Sequence, residues 1–539
     1  MRNFFSLHRA VPALLLGAAL CGVSPVWLPR PAAAQTEATT FVLQSIAIEG
    51  GTVFPEATWN PLVQPLLNRP ITLTALRELA AQITQRYQDN NYITSRAIVP
   101  AGAIANGRAT IRILEGRIAR VDLERATDSP TRLAETYLRE RIALGLGVPF
   151  DFGRLEDQLQ LLRTDPLIAD IRATLAAGEG EGESILRIVY KEAPSFSGTV
   201  GVDNYGNAAS GIYQGTVALQ EANLTGGGDR LFGSYGRSGN SDNVALGYQV
   251  PMGAQGASLS VRASLGQNPV TEPPFDTLNI RTESQVYELA YRQPLVRNPR
   301  NEVALNLGLG IERSNAFLDG QSFNFQNQQF GDGLSQATVL RFGQEALRRD
   351  ERGAWSLRST FHVGLEALGA TVRADGSPDG RFFYWSGQVL RVQRLGLDRD
   401  TLLLVRLGAQ LTGDRLLSLN RFSIGGPQSV RGYRQNQVTG DSGLLASLEF
   451  QVPIARDEND NGILKLLPFM DVGTVWNTDG STVSGLPQTL AGVGLGLQWE
   501  FAPTWNLRVD YGIPLNRVTN ATNNLQDAGL YFSVSGRLF

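Results

Sequence analysis

The residues best equipped for chemistry lie in a glycine-framed segment, Arg421 to Gly443 (RFSIGGPQSVRGYRQNQVTGDSG), and in the run Phe469-Met470-Asp471-Val472-Gly473. What they offer is non-covalent. Gly425-Gly426 permits a tight turn ahead of Val430-Arg431-Gly432-Tyr433. Arg431 carries a planar fork of donors suited to a carboxylate, and Asp471 would provide one. In an extended strand Phe469, Asp471 and Gly473 share a face, and Gly473 leaves room there for an approaching backbone. A long loop folded into a lumen loses entropy and needs such an anchor. No catalytic constellation accompanies them. His8 and His362 stand apart, and no G-x-S-x-G or phosphate-loop string occurs. Asp457-Glu458-Asn459-Asp460-Asn461-Gly462 begins like a calcium loop, but its twelfth position is Pro468, so it reads as a solvated turn. No enzymatic activity, cofactor or metal is expected.

These residues need elements to hold them, and the chain supplies two kinds. Residues 1–34 read as a secretory signal. Arg2 and Arg9 give a basic start, Val11 to Val23 an apolar run, and Ala32-Ala33-Ala34 a small-residue cleavage site. The run is shorter than the roughly 20 residues of a spanning helix. Cys21, the only cysteine, falls inside this leader, so neither a disulfide framework nor a thiolate metal site is expected. With 42% hydrophobic residues and a net charge of -3, the composition suits neither a bundle of membrane helices nor a nucleic-acid surface.

From Phe41 to about Ala193 strands and helices alternate. Phe41–Ile48 reads as a strand, Pro61–Leu67 as a short helix, Thr72–Tyr87 as a helix, and Ser95–Val99 and Ala109–Leu114 as strands. The order repeats in Ile118–Leu123, helices over Thr131–Ile142 and Phe152–Arg163, and strands over Ile168–Leu175 and Ser184–Tyr190. Two tandem α+β domains follow from this.

After Pro194 the helical period vanishes. Sixteen alternating stretches start near Phe196, Ile212, Arg230, Asn243, Ala257, Glu283, Glu302, Ser335, Ala354, Arg381, Thr401, Leu445, Lys465, Ala491, Trp505 and Ala528. Short connections (Asn298–Asn301, Leu395–Arg399, Ala502–Thr504) alternate with long ones (Ser314–Leu334, Leu368–Gly380, Thr412–Leu444). Short turns on one side and long loops on the other is the layout of an all-β transmembrane barrel of 16 antiparallel strands. The register of the last strand stays open: stepping back by two from Phe539 meets Arg537, Ser535 and Ser533, while Leu538, Val534, Phe532 and Leu530 are apolar.

At this point the sequence resembles a known family. Val430-Arg431-Gly432-Tyr433 at the tip of a long loop is similar to the signature of the POTRA-bearing barrel insertases and secretion pores, and Phe469 to Gly473 fits their F-x-D-x-G strand motif. The longer string resembles the two-partner secretion transporters among them, the TpsB or ShlB/FhaC/HecB group. The resemblance implies that Arg431 pairs with Asp471 near Phe469 and fixes loop 412–444 inside the barrel. Tyr87 to Pro100 (YQDNNYITSRAIVP) resembles the first POTRA domain of these transporters, where a helix ends and an edge strand begins. By that resemblance Tyr92, Thr94, Ser95, Arg96 and Ala97 are candidates for binding extended substrate, strand addition being one available mode; packing of the domain is the other role open to Tyr92 and Ala97.

The resemblance spans essentially the whole mature chain: POTRA units over 35–116 and 117–193, then a barrel over 194–539. It implies an outer-membrane pore with periplasmic POTRA domains, a monomeric barrel in lipid that secretes an unfolded exoprotein and meets no nucleic acid. A barrel-assembly factor of the same superfamily is the alternative, though such factors usually carry more POTRA units. A simple diffusion porin has neither feature. One departure stands out. Only Gln35 to Thr40 precede the first strand, less than two helical turns, so the pore-plugging helix of many relatives is not expected. The loop bearing Arg431 would then be the main obstruction.

Overall fold

The computed structural model describes residues 40–539, apart from 326–328, 332, 397–399, 459–460, 483–485 and 521–522. The leader, and the segment on which a plug helix would depend, lie outside the described residues. Leu76, Leu79, Ala80, Ile83 and Tyr87 form the buried stripe of helix α1 (Leu73–Asp89), whose first turn is capped by Thr72 Oγ1, accepting from the Ala75 N–H at 3.3 Å. Beneath it lie β1 (Ser45–Glu49), β2 (Arg96–Ile98) and β3 (Arg108–Leu114). The order is β1-β3-β2, with β1 parallel and β2 antiparallel to β3. The second unit repeats the plan with β4 (Arg117–Arg125), α2 (Glu135–Ala143), α3 (Phe152–Arg163), β5 (Ile168–Ala177) and β6 (Glu183–Glu192), in the order β4-β6-β5.

Three local expectations shift. Phe41–Ile48 is not one strand: Phe41–Val42 pairs with Pro70–Ile71, and the chain breaks where the Leu43 N–H donates to Arg69 O and the Gln44 N–H to Gly107 O. The short helix is one turn, Asn60–Val63, with 3-10 turns on either side. The helix expected from Thr131 starts only at Glu135. The Arg132 and Leu133 N–H groups are taken by Glu192 Oε2, and that of Ala134 by Gly226 O of the barrel. Those donors are therefore spent on tertiary contacts before a helix can begin.

The two units are locked together. Gly116, between β3 and β4, donates its N–H to Ser95 Oγ at 2.9 Å and accepts from the Phe150 N–H at 2.7 Å, while Asn91 O accepts from the Phe152 N–H. Beside them the Glu115 carboxylate accepts from the Thr52 N–H and Oγ1, the Val53 N–H and the Tyr87 hydroxyl. Burial pushes this carboxyl up, but those hydrogen bonds outweigh it and hold it below the usual glutamate value.

The barrel strands are β7 (Phe196–Asp203), β8 (Gln214–Ala222), β9 (Arg230–Ser238), β10 (Ser241–Pro251), β11 (Ser258–Pro269), β12 (Arg281–Arg297), β13 (Asn301–Leu318) and β14 (Leu334–Asp350). They continue as β15 (Gly353–Leu365), β16 (Phe383–Arg394), β17 (Leu402–Thr412), β18 (Ser442–Arg456), β19 (Gly462–Trp476), β20 (Thr489–Ala502), β21 (Trp505–Pro514) and β22 (Leu530–Arg537). Each begins within three residues of its expected start. All neighbours are antiparallel, and β7 pairs with β22 to close the barrel, which removes every free edge. A small hairpin, Gln321–Asn324 with Gln329–Phe330, extends the β13–β14 connection.

Alternation sorts each strand. On β19, Met470 and Val472 face outward while Phe469 and Asp471 are buried inside, and on β20 Leu495, Leu497 and Trp499 face outward. The last strand resolves its open register. Tyr531 is buried on the inner face, so Leu530, Phe532 and Val534 take the outer side. Phe539 lies past the strand end and stacks on Phe196, with centroids 5.0 Å apart. The second α+β unit sits against the first turns of the barrel: Arg132 Nη1 donates to Glu221 Oε1 and Ser195 Oγ, and Tyr137 packs on Gly228.

Candidate functional site

The segment between β17 and β18 folds into the lumen. It carries its own two-stranded sheet, Phe422–Ile424 with Val438–Gly440. Ile424, Val430, Tyr433 and Val438 cluster with Val475 and Leu490 of the wall. At its tip Arg431 is 4% exposed. Its Nε and Nη2 reach the two oxygens of Asp471 at 2.7 and 2.9 Å, and its N–H adds a third bond to that carboxylate at 3.2 Å. The guanidinium carbon lies 3.4 Å from the centroid of the Phe469 ring. Gly473, on the same face, leaves room for the loop: a Cβ there would lie 3.0 Å from Ile424 Cγ2 and from Val430 Cγ2.

The clasp is wider than the sequence indicated. Arg431 Nη1 also donates to Glu449 Oε2 at 2.6 Å and lies 3.5 Å from Asp510 Oδ1. Arg508 bridges the same two acids, at 2.7 Å from each. Three carboxylates thus face two guanidiniums from β18, β19 and β21. A buried pair stripped of one partner leaves an uncompensated charge, costing about 3–5 kcal/mol. Gly432 donates its N–H to the Tyr531 hydroxyl at 2.9 Å, and that hydroxyl donates to Tyr433 O at 2.6 Å. The Tyr433 hydroxyl meets Ala491 O and the backbone of Asn516. Arg434 forms a second buried anchor, with Asp527 at 2.6 Å and Glu272 at 2.7 Å. Glu449, Arg508, Asp510 and Tyr531 escaped the sequence reading. Their signal was parity, because Glu449 alternates with Leu448 and Phe450, and Arg508 and Asp510 with Leu507, Val509 and Tyr511.

The POTRA candidates do not form one surface. Ser95 is buried and bound to Gly116, and Tyr92 packs edge-on to Tyr87 at 5.9 Å. Thr94 Oγ1 is buried without a hydrogen-bond partner, against Gly116. Arg96 is exposed, and the Ala97 N–H donates to Thr84 Oγ1 of α1 at 2.9 Å. Asp457, at the calcium-like turn, accepts hydrogen bonds from Asn461, and Asn459–Asp460 lie outside the described residues. Among the described residues no cluster of His, Cys, Asp and Glu has the makings of a metal site.

A closed antiparallel barrel preceded by two α+β units, with a loop clasped in its lumen, is the architecture that the resemblance to POTRA-bearing outer-membrane barrels implies. Residues 182–499, more than half of the chain, match the family described as haemolysin secretion/activation protein ShlB/FhaC/HecB, and the chain belongs to that family. Residues 41–116 match the ShlB-type POTRA domain. The chain is 27% identical over 429 residues to the outer membrane transporter CdiB of Escherichia coli, covering 77% of this chain and 70% of that protein. It is 23% identical to the heme/hemopexin transporter protein HuxB of Haemophilus influenzae strain 86-028NP, covering 85% and 81%. In fold it resembles the solved CdiB from Escherichia coli, with TM-score 0.69 and 22% identity over 95% of this chain and 93% of that one. It also resembles BamA from Haemophilus ducreyi lacking POTRA domains 1–3, with TM-score 0.55 and 17% identity over 92% of this chain and 100% of that one. The protein is an outer-membrane transporter with its POTRA domains in the periplasm.

Proposed function

We propose that this chain is a two-partner secretion pore. Its periplasmic units take up an unfolded exoprotein, which crosses the barrel without nucleotide and without covalent chemistry, and folding outside gives the movement direction. The barrel acts as a monomer in lipid. Uptake begins at the first unit, where the exposed Arg96 stands beside the outer edge of β2. Related proteins described as outer membrane transporters support transport as the activity.

The observation that carries the reading is the Arg431–Asp471 clasp. It holds a preformed obstruction against β18–β22 and leaves space beside it. A cavity of about 670 Å³ runs between the loop and β12–β18, lined among others by Arg358, Gln388, Arg406, Phe422 and Gln428. On that side Arg406 Nη1 donates to Gln428 O of the loop at 3.2 Å, and Gln410 Nε2 to Asn420 O and Asp441 O at its roots. A polar lumen with an anchored, displaceable loop suits a passing polypeptide better than a fixed solute. The test is Arg431→Ala. We expect a barrel that inserts but exports its exoprotein poorly, and undiminished export would remove the clasp from the mechanism.

A further inference from the structure

The outer wall carries a feature that transport does not use. On the lipid side of β13–β19 the surface is hollowed into a concavity of about 810 Å³, its lining almost wholly apolar. Ala346, Leu357, Trp385, Val389, Leu407 and Val472 belong to it. Register places these side chains outward: Ala346 pairs with Leu357, Leu357 with Val389, and Glu345 and Arg358 on the alternate face meet each other in the lumen. A smooth barrel wall needs no such hollow, and lipid tails fill whatever apolar relief it offers.

Two residues toward the periplasm, on the same outward face, stands a second row: Arg348, Trp355 and Arg391, paired across β14, β15 and β16. Trp355 is half-exposed, and the Arg391 guanidinium lies 5.1 Å from its ring centroid while Nη1 is held by Asp350 at 2.8 Å. Among the described residues the side chains of Arg348 and Arg352 make no hydrogen bond or ion pair, and Arg349 Nη1 meets only Pro299 O at 3.2 Å. The turn Arg348-Arg349-Asp350-Glu351-Arg352, with Arg391, sets four cations against two acids, one of them already taken. It lies where the lipid-facing strands end, at headgroup depth, beside a tryptophan of the kind that lines membrane interfaces.

We propose that this wall is a binding site for one anionic phospholipid of the periplasmic leaflet, with its acyl chains in the concavity and its phosphate on Arg348 and Arg352. The apolar hollow and the unpaired guanidiniums adjoin, and a molecule with two tails and one negative head is complementary to both. A zwitterionic lipid fits the hollow but carries its own cation against the arginines. An acidic protein segment fits the arginines but not the hollow.

The test is native mass spectrometry of the detergent-purified full chain with added dioleoylphosphatidylglycerol, and with dioleoylphosphatidylcholine as the same-tailed comparator. We expect phosphatidylglycerol to be retained preferentially. Arg348→Gln with Arg352→Gln should weaken it about thirtyfold, at roughly 1 kcal/mol for each arginine. Ala346→Trp, which fills the hollow from the lipid side, should weaken both lipids. Arg77→Gln with Arg163→Gln, two exposed POTRA arginines, is the charge-matched control and should change nothing. Equal retention of both lipids by the parent chain would overturn the proposal. So would loss in the control equal to that in the double variant, or full retention by the Ala346→Trp variant in its folded, heat-modifiable form. Displacement of the phosphatidylglycerol by a polyglutamate peptide would assign the patch to acidic protein instead and overturn it as well.

Discussion

Gly512 and Gly432 approach so closely that a Cβ on Gly512 would stand 2.5 Å from the Gly432 nitrogen. The wall has given up a side chain where the loop backbone passes. Gly492 does the same one strand away, with its Cβ position 2.0 Å from Arg431 O. The clasp is therefore one of shape as well as charge, and the two can be separated by experiment.

Gly512→Ala leaves every charge in place and intrudes on the loop. We expect it to loosen the loop by about 1–3 kcal/mol, the cost of overpacking a close contact. The sign is increased protease cleavage within residues 413–441 of the folded barrel, with the strands unchanged. An unchanged cleavage rate would mean that the wall tolerates the methyl and that charge alone sets the clasp.

Arg431→Lys keeps the cation and loses the fork. One ammonium cannot reach both oxygens of Asp471 and Glu449 together, so export should fall between the parent and Arg431→Ala. Full export by the lysine variant would reduce the requirement to a point charge.

Tyr531→Phe removes one hydroxyl that satisfies both the Gly432 N–H and the Tyr433 carbonyl. Leaving these two groups unpaired in a buried place should cost about 1–3 kcal/mol each at most. We expect a lower denaturation midpoint for the loop, read by a fluorophore on a cysteine introduced at position 428. Equal midpoints would show that water replaces the hydroxyl.

Glu115 gives a pH test in the periplasmic part. Its carboxyl sits below the ordinary value, so its contribution is present above the unfolded-state pKa of about 4.3 and lost as pH falls through the folded-state value. Thermal melting of the first POTRA unit should therefore drop more steeply below pH 4 in the parent chain than in Glu115→Gln, which starts lower. Parallel pH profiles for the two would remove the carboxylate from the junction.

Much of this was legible in the residues. The period-two alternation after Pro194 marks each of the sixteen strands, because the lumen is wet and the outer wall is not, and every strand must present both. The helical stripe of α1 was equally plain. Glu449, Arg508, Asp510 and Tyr531 lie on three strands that meet only when the barrel closes, and no spacing along the chain records which inward residues face the loop. The start of α2 escaped because the N–H groups of Arg132 and Leu133 bond to Glu192 at the far end of the same unit and that of Ala134 to Gly226 of the barrel, a choice that local propensity does not encode. The last strand looked ambiguous because its aromatic end, Phe539, belongs to no strand face and caps the wall beside Phe196.

The lumenal segment brings its own ladder of hydrogen bonds, Phe422–Ile424 against Val438–Gly440, and its own apolar kernel. A body made this way leaves its seat as a bolt leaves a keeper, in one piece. The work of unlocking then depends on the seat and hardly on the length of the tether, since doubling a flexible connection changes closure by only about 0.6 kcal/mol. A few Gly-Ser residues spliced in at Gly413, outside that body, should accordingly leave export intact, whereas the same insertion at Pro427, within it, should abolish the seat.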